Sequence, residues 1–372
     1  MGDGLNMAPN HHAGPKADGA QRLLWLDVAK GLSILLVVLH HAQLAAASVD
    51  HGWHVFAQVS SLFKPVRMPL FFLVAGMVAA RSMEMPLSSL LRGRIANLLY
   101  LYGLWTAISW IYYRHVDPTD GDYLLGRHYS QLATMWLIPL SGQWFLWLLA
   151  IFHIFARVVA PMRSVTALLL ICAMTQYWAE TLDHLPHYSW RNALLYAPFF
   201  VAGQWYGRQI ANWLPGRARM VFLTGVLCYG SLIVLFGPEA ILSAMASNIP
   251  GSRLALSAAG LGVGLSVSVM ISRSAIFRGP LSHFGRNSLT IYLAHGILLS
   301  ICAISLAALS LPPLSYLWMT PLLILLAIPA SLGLSVALGS FGKFWLYSSD
   351  GIRKLVDNGL SGIMGMARLS RR

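Results

Sequence analysis

The stretch "LDVAKGLSILLVVLHHAQ", Leu26 to Gln43, sets a carboxylate, an ammonium and two imidazoles into an otherwise apolar run. An imidazole can take, hold or carry a proton, an ammonium can balance negative charge, and a carboxylate can balance the ammonium. In hydrocarbon such groups cost roughly 2.5 to 3.5 kcal/mol each at a helix centre, so a chain that keeps them there is expected to use them. At 100° per residue Lys30 and His41 lie within about 20° of one another, roughly 16 Å apart along the axis. Asp27 sits about 60° from Lys30, one turn back, placed to neutralise it. His40 points about 100° away from His41. One stripe therefore leads from a charged pair to an imidazole. The bland alternative is an interfacial ion pair plus a histidine that hydrogen-bonds between helices.

The rest of the chain must hold this stripe in a membrane. Of 372 residues, 57% are hydrophobic and 10% charged, and the mean hydropathy is +0.62. Soluble domains carry about 25% charged residues, so a water-covered surface is excluded. We expect an all-α polytopic bundle of about ten spans: 24–46, 66–82, 95–113, 143–160, 164–179, 193–211, 219–236, 254–272, 287–309 and 315–339. Residues 53–65 suit a surface helix leading into the second span. Residues 1–21 are expected to be a disordered cytoplasmic tail, 22–342 the transmembrane domain, and 343–372 a basic amphipathic tail on the membrane surface.

The net charge of +13 does not call for nucleic acid. With the N-terminus inside, nineteen of the 26 Lys and Arg fall on inner segments and six on outer ones, among the latter Arg114, Arg127 and Arg191. That is the positive-inside pattern, and it predicts two cytoplasmic termini. Arg22 followed by an apolar run and "AAAS" looks like a cleavable signal, but Asp27, Lys30 and the His40–His41 pair inside that run argue against cleavage. Cys172, Cys228 and Cys302 lie in apolar runs and form neither a metal motif nor a disulfide framework. No GxSxG elbow, Cys/His metal spacing or phosphate-binding loop is present in the sequence.

Four motifs share one resemblance. "LDVAKGLSILLVVLHH" resembles the first span of the acyltransferase-3 family of integral membrane acyltransferases, with a basic residue, ten intervening residues and a histidine. Lys30 and His41 take those places. "RMPLFFLVAG" at Arg67–Gly76 is similar to the family's second span, especially in its fucose 4-O-acetylase-like branch. "GQWFLWLLAIF" at Gly142–Phe152 and "FGRNSLTIYLAHGILL" at Phe284–Leu299 are similar to later spans. Arg67, Ala75 and His40 stand where that pattern often has His, Ser and Gly.

The resemblance implies transfer of an acyl group, commonly acetyl from acetyl-CoA as co-substrate with no bound cofactor, to a hydroxyl of an extracytoplasmic sugar, polysaccharide or glycolipid. It also implies a bacterial inner-membrane location. His41 is then the expected base or transient acyl carrier, and Lys30, held by Asp27, orients the donor or stabilises negative charge. Arg92 and Arg94 suit the donor's phosphates, or serve only as topology anchors. Arg67 at the outer mouth is a candidate contact for a sugar or an anionic acceptor. His295 is a candidate second base or substrate contact, with Tyr292 beside it. Trp144, with Gln143, is a candidate aromatic platform or part of the aromatic belt. A secondary transporter and a non-catalytic component of glycan assembly are the rival readings. Thioester turnover separates the enzyme from both.

Overall fold

The computed structural model describes residues 16–49, 55–117, 125–182, 188–236, 251–309 and 316–351. They form helices, joined by short turns, with no strand among them. The principal elements are α1 (Lys16–Val49), α2 (Val55–Leu62), α3 (Lys64–Ala79), α4 (Ala96–His115), α5 (Trp144–Val159), α6 (Val165–Thr181), α7 (Tyr188–Phe236), α8 (Ser252–Ser272), α9 (Arg278–Arg286), α10 (Ser288–Ala307) and α11 (Tyr316–Ala337). Seven of the described helices are long and apolar enough to cross a membrane. Val234, Val336, Leu325 and Leu169 are among the exposed side chains, an apolar surface that suits lipid.

One boundary differs from expectation. α1 begins at Lys16, so residues 16–21, expected in an irregular tail, are helical. An apolar span is a ready nucleus, and the Ala- and Gln-containing residues before it can extend it at little cost. Residues 1–15 lie outside the described residues, as do 352–372, most of the expected surface tail. The part of that tail that is described packs on α4. Tyr100 and Trp105 donate to the carbonyls of Trp345 and Leu346 (2.8 and 2.6 Å), and Ser349 N donates to Asn97 Oδ1 at 2.7 Å.

The expected sixth and seventh spans are both limbs of α7. A straight 49-residue helix would be about 74 Å long. Here Gly207 packs on Met77 near the end of α3, while Tyr229 donates to Leu62 O, just before α3 begins, at 2.6 Å. Both contacts cannot be made by a straight rod, so the chain doubles back between them. Pro215, with no N–H to give the preceding turn, marks the bend, and Arg273 donates to its carbonyl at 2.5 Å.

α1 is the hub. It packs against α9 most extensively, then against α10, α8, α11 and α3. Its polar stripe therefore faces protein rather than lipid. The α1–α9 crossing depends on two glycines: a Cβ on Gly31 would run into Leu281 O, and one on Gly285 into Asp27 O. Lipid tails are as apolar as Leu, so helices in a bilayer associate by close packing of small residues rather than by hydrophobic drive. This crossing sets the height of Asp27 and Lys30 in the bundle. α3 meets the first limb of α7 just as closely at Gly76 and Gly203.

Candidate active site

At one end of the stripe, Lys30 Nζ lies 2.6 Å from Asp27 Oδ1, and Arg286 Nη1 from α9 lies 4.0 Å from Asp27 Oδ2. About a quarter of the Lys30 side chain remains exposed, so the pair contributes at most about 1 kcal/mol to stability. Its use is to hold an ammonium in place. Lys30 borders a cavity of about 280 Å³, whose wall also includes Arg94, Asn97, His153 and Ser288 among apolar side chains. The cavity also meets Phe71, Phe145 and Tyr292. The rings of Phe71 and Phe145 stack there at 4.4 Å, with Tyr292 5.4 Å from Phe145.

Arg92, expected beside Arg94, is exposed and does not line the cavity. Both sit on a wide helical turn, Leu91–Ile95. Residues two apart on a helix do not face the same way, so one position could enter the wall but not both.

His153 was not anticipated. Its Nδ1 lies 2.7 Å from Leu149 O. A carbonyl can only accept, so Nδ1 carries the proton and Nε2 is the basic nitrogen. That Nε2 is buried and has no hydrogen-bond partner among the described residues. The signal was available in the sequence, since an ionisable side chain inside an apolar span is a functional candidate by default.

At the other end, His41 meets His295 of α10 with ring centroids 5.0 Å apart, edge to face. His295 Nδ1 donates to Tyr292 O at 2.7 Å, which fixes its tautomer and leaves Nε2 as the basic nitrogen. His41 Nδ1 is buried and has no partner among the described residues. His40 faces elsewhere, hydrogen-bonding Ser60 Oγ of α2 at 3.2 Å, although its ring lies 5.3 Å from that of His41. The stripe thus faces α10 along its length, with Ser288 and Leu289 in the cavity wall beside Lys30 and His295 beside His41.

Tyr292 joins the two ends. Its ring borders the cavity, its carbonyl holds His295, and its hydroxyl donates to Gly142 O at 2.6 Å and accepts from Phe145 N at 3.3 Å. Trp144, next in chain, stacks on Tyr196 at 6.2 Å. Arg67 of α3 is only 7% exposed.

The polar stripe of α1 is buried in the bundle, with a cavity beside Lys30 and the His295 ring beside His41. The family model of the acyltransferase-3 "acyltransferase domain" matches residues 23–340. The chain belongs to the acyltransferase-3 family. It is a membrane acyltransferase. This acyltransferase is similar to the inner membrane protein YcfT of Escherichia coli (strain K12), with 23% identity over 323 residues, covering 77% of this chain and 83% of that protein. No solved structure matches it. The matched residues include both ends of the stripe, the cavity wall and Arg67.

Proposed function

We propose that this acyltransferase moves an acetyl group from acetyl-CoA, offered at the Lys30 face, to a sugar hydroxyl waiting at the His41 face. The observation that carries the reading is the continuity of the site along α10: cavity, Tyr292, then the His295–His41 pair. The axial distance from Lys30 to His41 is about 16 Å, roughly half of a hydrocarbon core of about 30 Å. A donor arriving from one side and an acceptor from the other must be connected over such a distance.

Lys30 and Arg94 meet the anionic head of the donor, and the apolar cavity wall takes its arm. The arm brings the thioester along α10 toward His41. His41 then takes the proton of the sugar hydroxyl, whose oxygen attacks the thioester carbonyl. The carbon–sulfur bond breaks and the proton leaves with the CoA thiol. In the covalent variant the neutral imidazole attacks the thioester carbonyl first, the carbon–sulfur bond breaks and the ring N–H proton leaves with the CoA thiol; the sugar hydroxyl then displaces the acetyl group and its proton returns to the imidazole. The likeness of "RMPLFFLVAG" to fucose 4-O-acetylase-like members supports a sugar as acceptor. The inner-membrane relative supports a bacterial inner membrane, with Lys30 and Arg94 toward the cytoplasm.

The test is sided turnover. Purified chain in liposomes should release CoA thiol from acetyl-CoA supplied at the Arg94 face, and faster with glycan inside. Intact thioester with donor on either face would remove the enzyme reading and favour a transporter or an assembly component. The two arginines give a sharper check. Arg94→Gln is expected to raise the KM for acetyl-CoA about tenfold, the size of a lost charge-assisted hydrogen bond. Arg92→Gln should change it less than about twofold, as for a solvated surface charge. Equal effects of the two substitutions would take Arg94 out of the donor site.

A further inference from the structure

Two polar side chains in the cavity wall are each half-used, and their unused halves are opposite in kind. His153 of α5 lines the cavity and is only 5% exposed. Its Nδ1 proton already goes to Leu149 O, one turn back on the same helix, at 2.7 Å. What is left is Nε2, which can only accept. It is buried and has no partner among the described residues. Asn97, in the first turn of α4, lines the same cavity and is half-buried. Its Oδ1 accepts from Ser349 N, in the segment after α11, at 2.7 Å. A backbone N–H can only donate, so that contact fixes which end of the amide is oxygen. The Nδ2 protons remain, with no partner among the described residues.

One cavity thus offers a fixed acceptor from α5 and a fixed donor from α4. The wall around them is built from side chains such as Leu98, Leu146, Leu149 and Phe145. In so apolar a place an unpaired acceptor is costly, and a ligand that satisfies both groups must carry a donor and an acceptor of its own. A secondary amide does, with N–H and C=O held in one plane. A hydrocarbon chain offers neither, and an ionised carboxylate has no proton for Nε2. The pantetheine arm of CoA is an apolar chain interrupted by secondary amides. Lys30 and Arg94 on the same wall suit the phosphates beyond it.

We infer that His153 and Asn97 read the amides of the donor's pantetheine arm: an amide N–H donates to His153 Nε2, and Asn97 Nδ2 donates to an amide carbonyl. The inference rests on the acyl-transfer reading for calling the bound thioester a donor. The binding itself does not depend on it. Both are positioning residues, which set how far the arm reaches along α10 toward His41. They also make the site selective, because an acyl phosphate or a simple thioester would leave Nε2 unpaired.

The experiment is equilibrium binding to the purified full chain in nanodiscs. The probes are acetyl-CoA and ester analogues in which an oxygen replaces one amide N–H of the arm at a time. Charge and length are kept and only the proton is lost. At least one analogue should bind about tenfold more weakly than acetyl-CoA. His153→Phe should bind acetyl-CoA about tenfold more weakly, and should bind amide and ester alike. His153→Gln should keep part of the preference, since its amide oxygen can accept in place of Nε2. That variant guards against a mere loss of fold. Asn97→Asp keeps an acceptor for Ser349 N and removes the Nδ2 protons. It should weaken binding of S-acetylpantetheine, which has no phosphates for the new charge to repel. Equal binding of acetyl-CoA and every ester analogue, a preference intact in His153→Phe, unchanged binding in Asn97→Asp, or no binding of acetyl-CoA would each overturn the inference. Thioester turnover is measured on the same preparation. An amide preference without turnover would keep this site and sink the transferase reading, and turnover without the preference would do the reverse.

Discussion

Replacing His41 with Ala is expected to lower acyl transfer by about 10²- to 10⁴-fold, the range of a lost general base, while the protein still inserts and folds. His41 contributes a ring against His295 and a Nδ1 with no partner among the described residues, so its removal breaks no hydrogen bond seen there. A covalent role would give a loss at least as large, because no carrier would remain. His40→Ala is the informative control. Its ring is 5.3 Å from His41, yet it bonds Ser60 of α2, on a different face of the helix. It should retain substantial activity, with some loss from the missing hydrogen bond. The measurement is the initial rate of transfer to the cell-surface glycan at matched protein levels. Full activity in His41→Ala, or equal loss in the two histidine variants, would assign this pair to packing.

Gly285→Ala is expected to destabilise the bundle by about 3 kcal/mol or more, at or beyond the upper end of ordinary overpacking. Overpacking is usually relieved by the far end of a flexible side chain. Here the new Cβ would meet the backbone carbonyl of Asp27, and Gly31 makes the reciprocal approach to Leu281 O at the same crossing. Relief requires α1 to move away from α9, which would pull Asp27 from Arg286 and shift Lys30 in the cavity wall. Gly279→Ala in the same helix meets open space within 4 Å. It should be neutral, or gain up to about 1 kcal/mol from helix propensity. Thermal midpoints of the two variants in one detergent decide the matter. If Gly285→Ala is as stable as Gly279→Ala, the helices re-space freely and the crossing does not set the height of the charged pair.

Much of the site was readable because a polar group in an apolar helix is costly and a helix has a fixed period. Those two facts placed Asp27 beside Lys30, where the structure has them 2.6 Å apart, and set His40 and His41 on different faces. The all-α membrane bundle and the first-span resemblance were readable for the same reason: both are written in hydropathy and spacing along the chain. What lay beyond reading was every relation between helices. Nothing near His41 in the sequence says that His295 is its neighbour, that Arg94 and not Arg92 enters the cavity, or that His153 joins Lys30 there. Helical period fixes direction within a helix, but the rotation of one helix against another is set by shape at their contact. In a bilayer, with no hydrophobic drive between apolar faces, that shape comes down to contacts such as Gly31 on Leu281 and Gly285 on Asp27, which only the folded structure brings together.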